Sequence, residues 1–237
     1  MKRIMIIIAA AMLAAACNNA VEQRAQVKIE TDKGDILVEL LNETPLHRDN
    51  FIEQVENGTF DGILWHRVID GFLAQTGDST SRRAVPGAAL GEGPVEDQME
   101  ENWIPAEFRA PQFFHRRGML NAARQGDDFN PEKKSSMHQW TIITGKVYTD
   151  EELDRAQARI TEWTNGQGVL TPEMREVYKT EGGAAHLDYS YTVFGQVLEG
   201  MEIVDAITKV ATDSLDRPLE DIHIIKATLV QNYKEVK

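Results

Sequence analysis

Residues 65–78 read Trp65-His66-Arg67-Val68-Ile69-Asp70-Gly71-Phe72-Leu73-Ala74-Gln75-Thr76-Gly77-Asp78. Two short strand-like runs, at 64–69 and 72–76, are parted by a turn. Strand alternation puts Leu73 and Gln75 on one face. The stretch thus brings together a guanidinium that never deprotonates, on Arg67, apolar side chains on Phe72 and Leu73, and an amide on Gln75.

On the N-terminal side, residues 27–32 and 36–41 alternate apolar and polar around Lys33-Gly34-Asp35, which predicts an opening β-hairpin. A helix follows, with Thr44 as cap, Pro45 in its first turn, Phe51, Ile52 and Val55 as an apolar stripe, and Asn57-Gly58 as terminator. Further strand-like runs fall at 119–122, 140–144 and 191–197, and a second helix at 201–210. The last strand, 221–230, is expected to turn Ile222, Ile224, Lys226, Thr228 and Val230 to one face and His223, Ile225, Ala227 and Leu229 to the other. Many strands with two helices predict a mainly β, closed antiparallel barrel with helical caps.

The segment between Thr144 and Leu187 is of different character, rich in Glu, Arg and Gln. Thr149 and Glu152 form a capping box ahead of Leu153, Ala156, Ile160 and Trp163 at helical spacing. A second helix starts at Thr171-Pro172, turns Met174, Val177 and Tyr178 inward, and stops at Gly182-Gly183. The expectation is an inserted helical hairpin packed on the barrel.

The whole chain has 237 residues, 27% charged and 42% hydrophobic, with 17 Gly and 8 Pro, which suits one domain or two small ones and excludes fibrous and low-complexity classes. Its formal charge is −13, and removal of residues 1–16, which hold Lys2, Arg3 and no acid, makes it −15. A nucleic-acid partner is disfavoured by that sign, and monomeric, soluble behaviour is favoured. Lys2 and Arg3 precede an apolar run, 4–16, that is long enough for a signal peptide and too short to span a bilayer. Its end, Leu13-Ala14-Ala15-Ala16-Cys17, resembles the lipobox of bacterial lipoproteins, with Ala14 where that motif usually has Leu; a plain A-x-A cleavage site is the alternative. Cys17 is the one cysteine of the chain, so neither a disulfide within it nor a cysteine-based metal site can form. The expected layout is a signal peptide at 1–16, a lipidated Cys17 opening a tether at 17–26 that reaches roughly 15 to 18 Å, and a folded domain at 27–237. By the same lipoprotein resemblance, Asn18 rather than Asp after the cysteine implies the outer membrane or periplasmic face of a bacterial cell envelope.

Most catalytic signatures are missing: there is no G-x-S-x-G, H-E-x-x-H, Walker loop or strand-following G-x-G-x-x-G. His47, His66, His115, His138, His186 and His223 lack ligand spacing, so neither a metal nor a cofactor is expected. Residues 65–78, by contrast, resemble the central signature of the cyclophilins, aromatic-H-R-x-x-x-G-F-x-x-Q-x-G-D, over fourteen positions. The resemblance continues through 118–124, 135–140 and 192–201; it covers about 27–145 and 186–230 and leaves 146–185 outside as an elaboration. It implies a cyclophilin-like barrel and a cofactor-free peptidyl-prolyl cis-trans isomerase acting on proline-containing polypeptides. By resemblance, Arg67, Phe72, Gln75 and Gln139 are the catalytic set, with Leu73, Ala123, Arg124, Thr141, His186, Leu187 and Tyr191 binding substrate.

The residues suit that chemistry on their own terms. Rotating an X-Pro bond costs roughly 18 to 20 kcal/mol because amide resonance must be lost. In the twisted state the prolyl nitrogen regains a lone pair, so a fixed cation aimed at it favours that state over both planar ones. Arg67 can supply it, Phe72, Leu73 and Leu187 can wall a proline ring, and Gln75 and Gln139 can donate to backbone carbonyls. Departures from the family pattern are also present. Thr141 stands where an aromatic is usual, on the strand face of Gln139 and Ile143, which predicts a thinner proline pocket and a cost of roughly 1 to 3 kcal/mol unless Trp140 or a neighbour refills it. His186 replaces a frequent Trp associated with cyclosporin binding, Tyr191 a frequent His, Thr76 a glycine, and Met137 and His138 small residues. Retained but weakened turnover is expected, with exported polypeptides as substrates. The alternative is a Pro-peptide-binding chaperone or assembly module with vestigial activity.

Overall fold

The computed structural model describes residues 23–233; the leader, Cys17 and most of the tether lie outside them. Eight antiparallel strands form one curled sheet: β1 (Gln26–Thr31), β2 (Gly34–Leu40), β3 (Arg67–Ile69), β4 (Leu73–Thr76), β5 (Met119–Ala122), β6 (Trp140–Ile143), β7 (Val193–Glu199) and β8 (Ile224–Gln231), in the order β3-β4-β6-β5-β7-β2-β1-β8. Near the two outer strands the backbone meets again, through a bridge between Leu64 and His223 and a hydrogen bond from the Trp65 amide to the Ile222 carbonyl. Two helices, α1 (Pro45–Glu56) and α4 (Met201–Thr208), pack on the sheet's inner face.

Alternation decides which side chains enter that core. Val68, Ala74, Leu120, Ala122, Trp140 and Ile142 point in, joining Val27, Ile29, Ile36, Val38, Phe51 and Phe194. Trp140 is pinned edge-on by Phe51 at 5.3 Å and Trp65 at 5.5 Å between ring centres. Burying a ring of this size contributes about 2–3 kcal/mol.

Strict alternation fails in β8. Thr31 pairs with Ile224 and Glu30 with Lys226, so Ile225 is an extra residue, a β-bulge that reverses the faces. Ile222 and Ile224 are buried on one face, but beyond the bulge the residues that continue that face are Ala227 and Leu229, not Lys226 and Thr228. Keeping the predicted register would have put the Lys226 ammonium into the apolar core. The cap of α1 also differs. The Thr44 side chain makes no capping bond; the Glu107 carboxylate accepts from the Leu46 and His47 amides instead, at 3.3 and 3.1 Å.

Residues between β6 and β7 form α2 (Asp150–Trp163) and α3 (Pro172–Thr180). Both expected caps are present: Thr149 and Glu152 make a reciprocal capping box, and Thr171 accepts from the Met174 amide. The pair has its own core of Leu153, Ala156, Ile160, Met174 and Tyr178. The chain leaves the sheet at Lys146 and returns beside it at Gly183, the two backbones bonding at 3.0 and 3.2 Å. A side chain at Gly183 would sit 2.3 Å from the His115 carbonyl oxygen, so only glycine fits that junction. Among the described residues no helix is long and apolar enough to cross a membrane.

Candidate active site

The outer face of β3, β4, β6 and β5 is one continuous row. Arg67 pairs with Gln75, Gln75 with Thr141, and Thr141 with Asn121. The next row is Ile69, Leu73 and Ile143. Period-two geometry therefore sends Arg67, Leu73, Gln75, Thr141 and Ile143 to the face opposite the core, and the sheet order makes them neighbours.

Within the polar row the groups are wired together. Arg67 donates from Nη1 to Gln75 Oε1 at 3.3 Å, Gln75 Nε2 donates to Gln139 Oε1 at 3.1 Å, and Gln139 Nε2 donates to the Gly91 carbonyl at 2.8 Å. Each amide nitrogen keeps a second hydrogen for a ligand. On its far side the Arg67 guanidinium lies 3.5 Å from the Asp216 carboxylate, and its side chain is 39% exposed, so the cation is held in place yet open to solvent. Gln75, Gln139, Ala123 and Arg124 line a hollow of about 140 Å³. Ala123 is fixed there by its amide, which donates to the Gln139 carbonyl at 2.9 Å.

The apolar wall lies along the second row. Leu73, Ile143, Ala184 and Leu187 form a buried cluster against which Phe72 and Tyr191 pack. His186 lies against Phe72 with ring centres 5.3 Å apart. Burial pushes its pKa down to about 4, with His115 and Arg159 adding to the effect, so it is neutral at pH 7. Thr141 is 3% exposed and donates to Asn121 Oδ1 at 2.6 Å. Trp140 does not fill its place, since that ring belongs to the core on the opposite face. Thr76 too points away from the groove and donates to the Leu64 carbonyl. Arg124 is committed internally: its side chain is 4% exposed, bonds Ser190, pairs with Asp127 and covers the Tyr191 ring at 4.5 Å. Of the residues singled out in the sequence, Arg67, Gln75 and Gln139 are hydrogen-bonded in a chain, Ala123 and Arg124 share a hollow with Gln75 and Gln139, and Phe72, Leu73, Leu187 and Tyr191 meet in one apolar cluster with His186 against Phe72, while Thr141 is buried. Those that sequence reasoning missed are Asn121, Gly91 and Asp216; Asn121 had a readable signal, as a polar residue in an apolar strand, whereas the other two come from distant loops.

A hydrogen-bonded row of Ser135, His47 and Glu107 also exists, at 2.9 and 2.8 Å, with His47 on α1 itself and all three side chains buried. It is a support of the helix, not a nucleophile open to substrate. Among the described residues no group of three His, Cys, Asp or Glu side chains could hold a metal.

His66, between the sheet and the Gly91 loop, has both ring nitrogens buried without a hydrogen-bond partner among the described residues, and burial pushes its pKa down from 6.5 to about 4. The unfolded chain therefore takes up the proton first as pH falls. The stabilisation from neutral His66 is whole above pH 6.5 and lost progressively towards pH 4. Urea unfolding at pH 7, 6 and 5 should show stability falling by up to about 1.4 kcal/mol per pH unit from this residue. His66→Phe should flatten that slope; an unchanged slope would assign it elsewhere.

One groove thus carries a fixed cation, paired amides and an apolar wall. The family model described as cyclophilin type peptidyl-prolyl cis-trans isomerase/CLD matches residues 26–229. A Staphylococcus aureus (strain COL) protein assigned as a peptidyl-prolyl cis-trans isomerase is 30% identical over 205 residues, covering 85% of this chain and 91% of its own. A Streptococcus pyogenes serotype M6 protein assigned as a bifunctional phosphatase and peptidyl-prolyl cis-trans isomerase is 30% identical over 203 residues, 84% of this chain and 37% of its own. A crystal structure of a Cryptosporidium parvum cyclophilin-type isomerase superposes with a TM-score of 0.58 at 20% identity, covering 89% of this chain and 99% of that one. The same protein in the presence of the dipeptide Ala-Pro gives a TM-score of 0.56 at 20% identity over 87% and 99% of the two chains. This chain belongs to the cyclophilin-type peptidyl-prolyl cis-trans isomerases.

Proposed function

We propose that residues 27–237 isomerise X-Pro bonds in exported polypeptides at the bacterial envelope, working as a monomer held to the membrane by a lipid on Cys17. The observation that carries the catalytic part is the Arg67–Gln75–Gln139 chain of hydrogen bonds beside the Phe72, Leu73 and Leu187 wall. A proline ring on that wall would present its nitrogen to Arg67, while the remaining amide hydrogens of Gln75 and Gln139 hold the neighbouring carbonyls. Tyr191, stacked under Arg124 and packed on Leu73, Ile143 and Leu187, supplies a ring where Thr141 lacks one. The Ala-Pro dipeptide recorded with the Cryptosporidium relative supports a prolyl ligand. The Leu64–His223 bridge supports a barrel closed between β3 and β8, and the Lys146–Gly183 junction supports reading 146–185 as an insertion into it.

Exchange spectroscopy on an Ala-Pro peptide tests the activity. Catalytic amounts of the protein should raise the cis/trans exchange rate; binding without acceleration would leave a Pro-peptide-binding module in its place. The anchor has its own test. The exported protein should carry acyl chains at Cys17 and partition with membranes, and Cys17→Ser should release it to the soluble fraction; an unmodified Cys17 would reject lipidation.

A further inference from the structure

Beyond Phe72 the apolar wall does not end at the sheet. A groove of about 730 Å³ opens between Phe72 and His186 on one side and helix α2 on the other, with Tyr148 and Ala156 on its walls and Lys146, Arg155 and Arg159 at its rim. It is continuous with the proline wall, because Phe72 belongs to both. The rim is positively charged in a chain whose formal net charge is −13. Lys146 is neutralised by Glu152 at 2.5 Å. Arg155 and Arg159 stand one helical turn apart on the exposed side of α2, and neither has an ion-pair or hydrogen-bond partner among the described residues. Asp150 and Asp154 do not serve them, since both pair with Arg175 of α3. Like charges at this spacing oppose the helix slightly, and of the acids on α2 the Glu152 carboxylate, one turn before Arg155, feels its charge while bonded to Lys146. Arg159 also lines a second hollow, of about 220 Å³, with Arg124, Tyr191 and His186, so it overlooks the apolar wall from both sides of His186.

We propose that α2 forms a specificity subsite in which Arg155 and Arg159 bind an acidic side chain of the substrate a few residues from the proline, on the flank away from Gln75 and Gln139. The inference rests on the isomerase reading above and adds a substrate class to it: proline-containing segments with a nearby Asp or Glu. Local charge overrides the net charge here, because an overall negative field is screened beyond about 8 Å at physiological salt while a guanidinium in contact is not. The segment 146–185 is then more than a packing appendage. It converts a site that reads proline alone into one that reads proline with its acidic neighbour.

The test is a set of peptides built on Ala-Pro, carrying Glu, Gln or Lys in turn at each of the three positions on either side, with kcat/KM for cis/trans exchange measured at low and high salt. One position should favour Glu over Gln by about three- to ten-fold at low salt, the range expected of one or two solvated charge pairs, and the ratio should shrink at high salt. In the double variant Arg155→Gln, Arg159→Gln that ratio should fall to about one. Arg159→Glu should shift preference towards a Lys peptide, an outcome that loss of folding cannot imitate. Catalysed exchange with equal Glu and Gln rates at every position, or a ratio unmoved by the double variant, overturns the subsite and leaves the isomerase standing. No catalysed exchange on any peptide overturns the isomerase reading itself, and the subsite with it.

Discussion

Arg67→Ala is expected to lower kcat/KM on an Ala-Pro peptide by about 10²–10³, the loss that follows removal of one preorganised donor from a developing charge. The barrier to be lowered is roughly 18 to 20 kcal/mol and arises from amide resonance, so what a protein can offer is a preference for the state in which resonance is broken. Arg67 is placed for this: strand β3 fixes its backbone opposite Gln75, Gln75 Oε1 accepts from its Nη1, and Asp216 steadies the other side of the guanidinium. Arg67→Lys keeps the charge but loses the planar fork that lets one group hold Gln75 and face the prolyl nitrogen together, so it should recover only part of the activity. The fold should not notice either change. The Arg67–Asp216 pair is 39% and 43% exposed, and such pairs contribute between about 0 and 1 kcal/mol. Exchange spectroscopy read beside urea unfolding checks both halves; a variant as active as the wild type would remove Arg67 from the chemistry.

Asp188→Ala is expected to cost about 3–5 kcal/mol of stability, the usual result of deleting one member of a buried polar network. Asp188 is 0% exposed, and both of its oxygens are engaged: Oδ1 accepts from the His115 amide at 2.9 Å and meets His115 Nδ1 at 2.8 Å, while Oδ2 accepts from the Tyr178 hydroxyl at 2.7 Å. Removing the carboxylate leaves a buried imidazole and a buried phenol without partners and opens a void between α3 and the sheet. Tyr178→Phe, which removes only one hydrogen bond, should cost less, about 1–3 kcal/mol. Calorimetry should place the Asp188→Ala transition about 10 °C below the wild type. Activity should fall as well, because Asp188 follows directly on His186 and Leu187, which line the groove. A Tm within about 2 °C of the wild type would show that the network is not a fastening.

Much of the groove was legible in the chain because it is written in local periodicity. Residues two apart on a strand share a face whatever the rest of the molecule does, so Leu73 goes with Gln75, and Thr141 with Gln139 and Ile143, before any fold is known. The caps of α2 and α3 were legible for the same reason, being contacts between residues three apart. The Thr44 cap and the face of Lys226 were misread because the competing partners were remote: Glu107 lies some sixty residues from the helix it caps, and the β8 bulge answers to β1 at the other end of the chain.

The sequence by itself determined the kind of chemistry, since a cation, an apolar pair and an amide within nine residues of Arg67 can meet on two short strands joined by a turn. The tertiary structure alone decided what holds those groups and what surrounds them: Asp216 against Arg67, the Gly91 carbonyl behind Gln139, Asn121 under Thr141, and α2 facing Phe72. The division has one physical cause. Side-chain direction is set by backbone geometry over a few residues, whereas the partner across a gap is set by how the whole sheet curls and where each loop is forced to close.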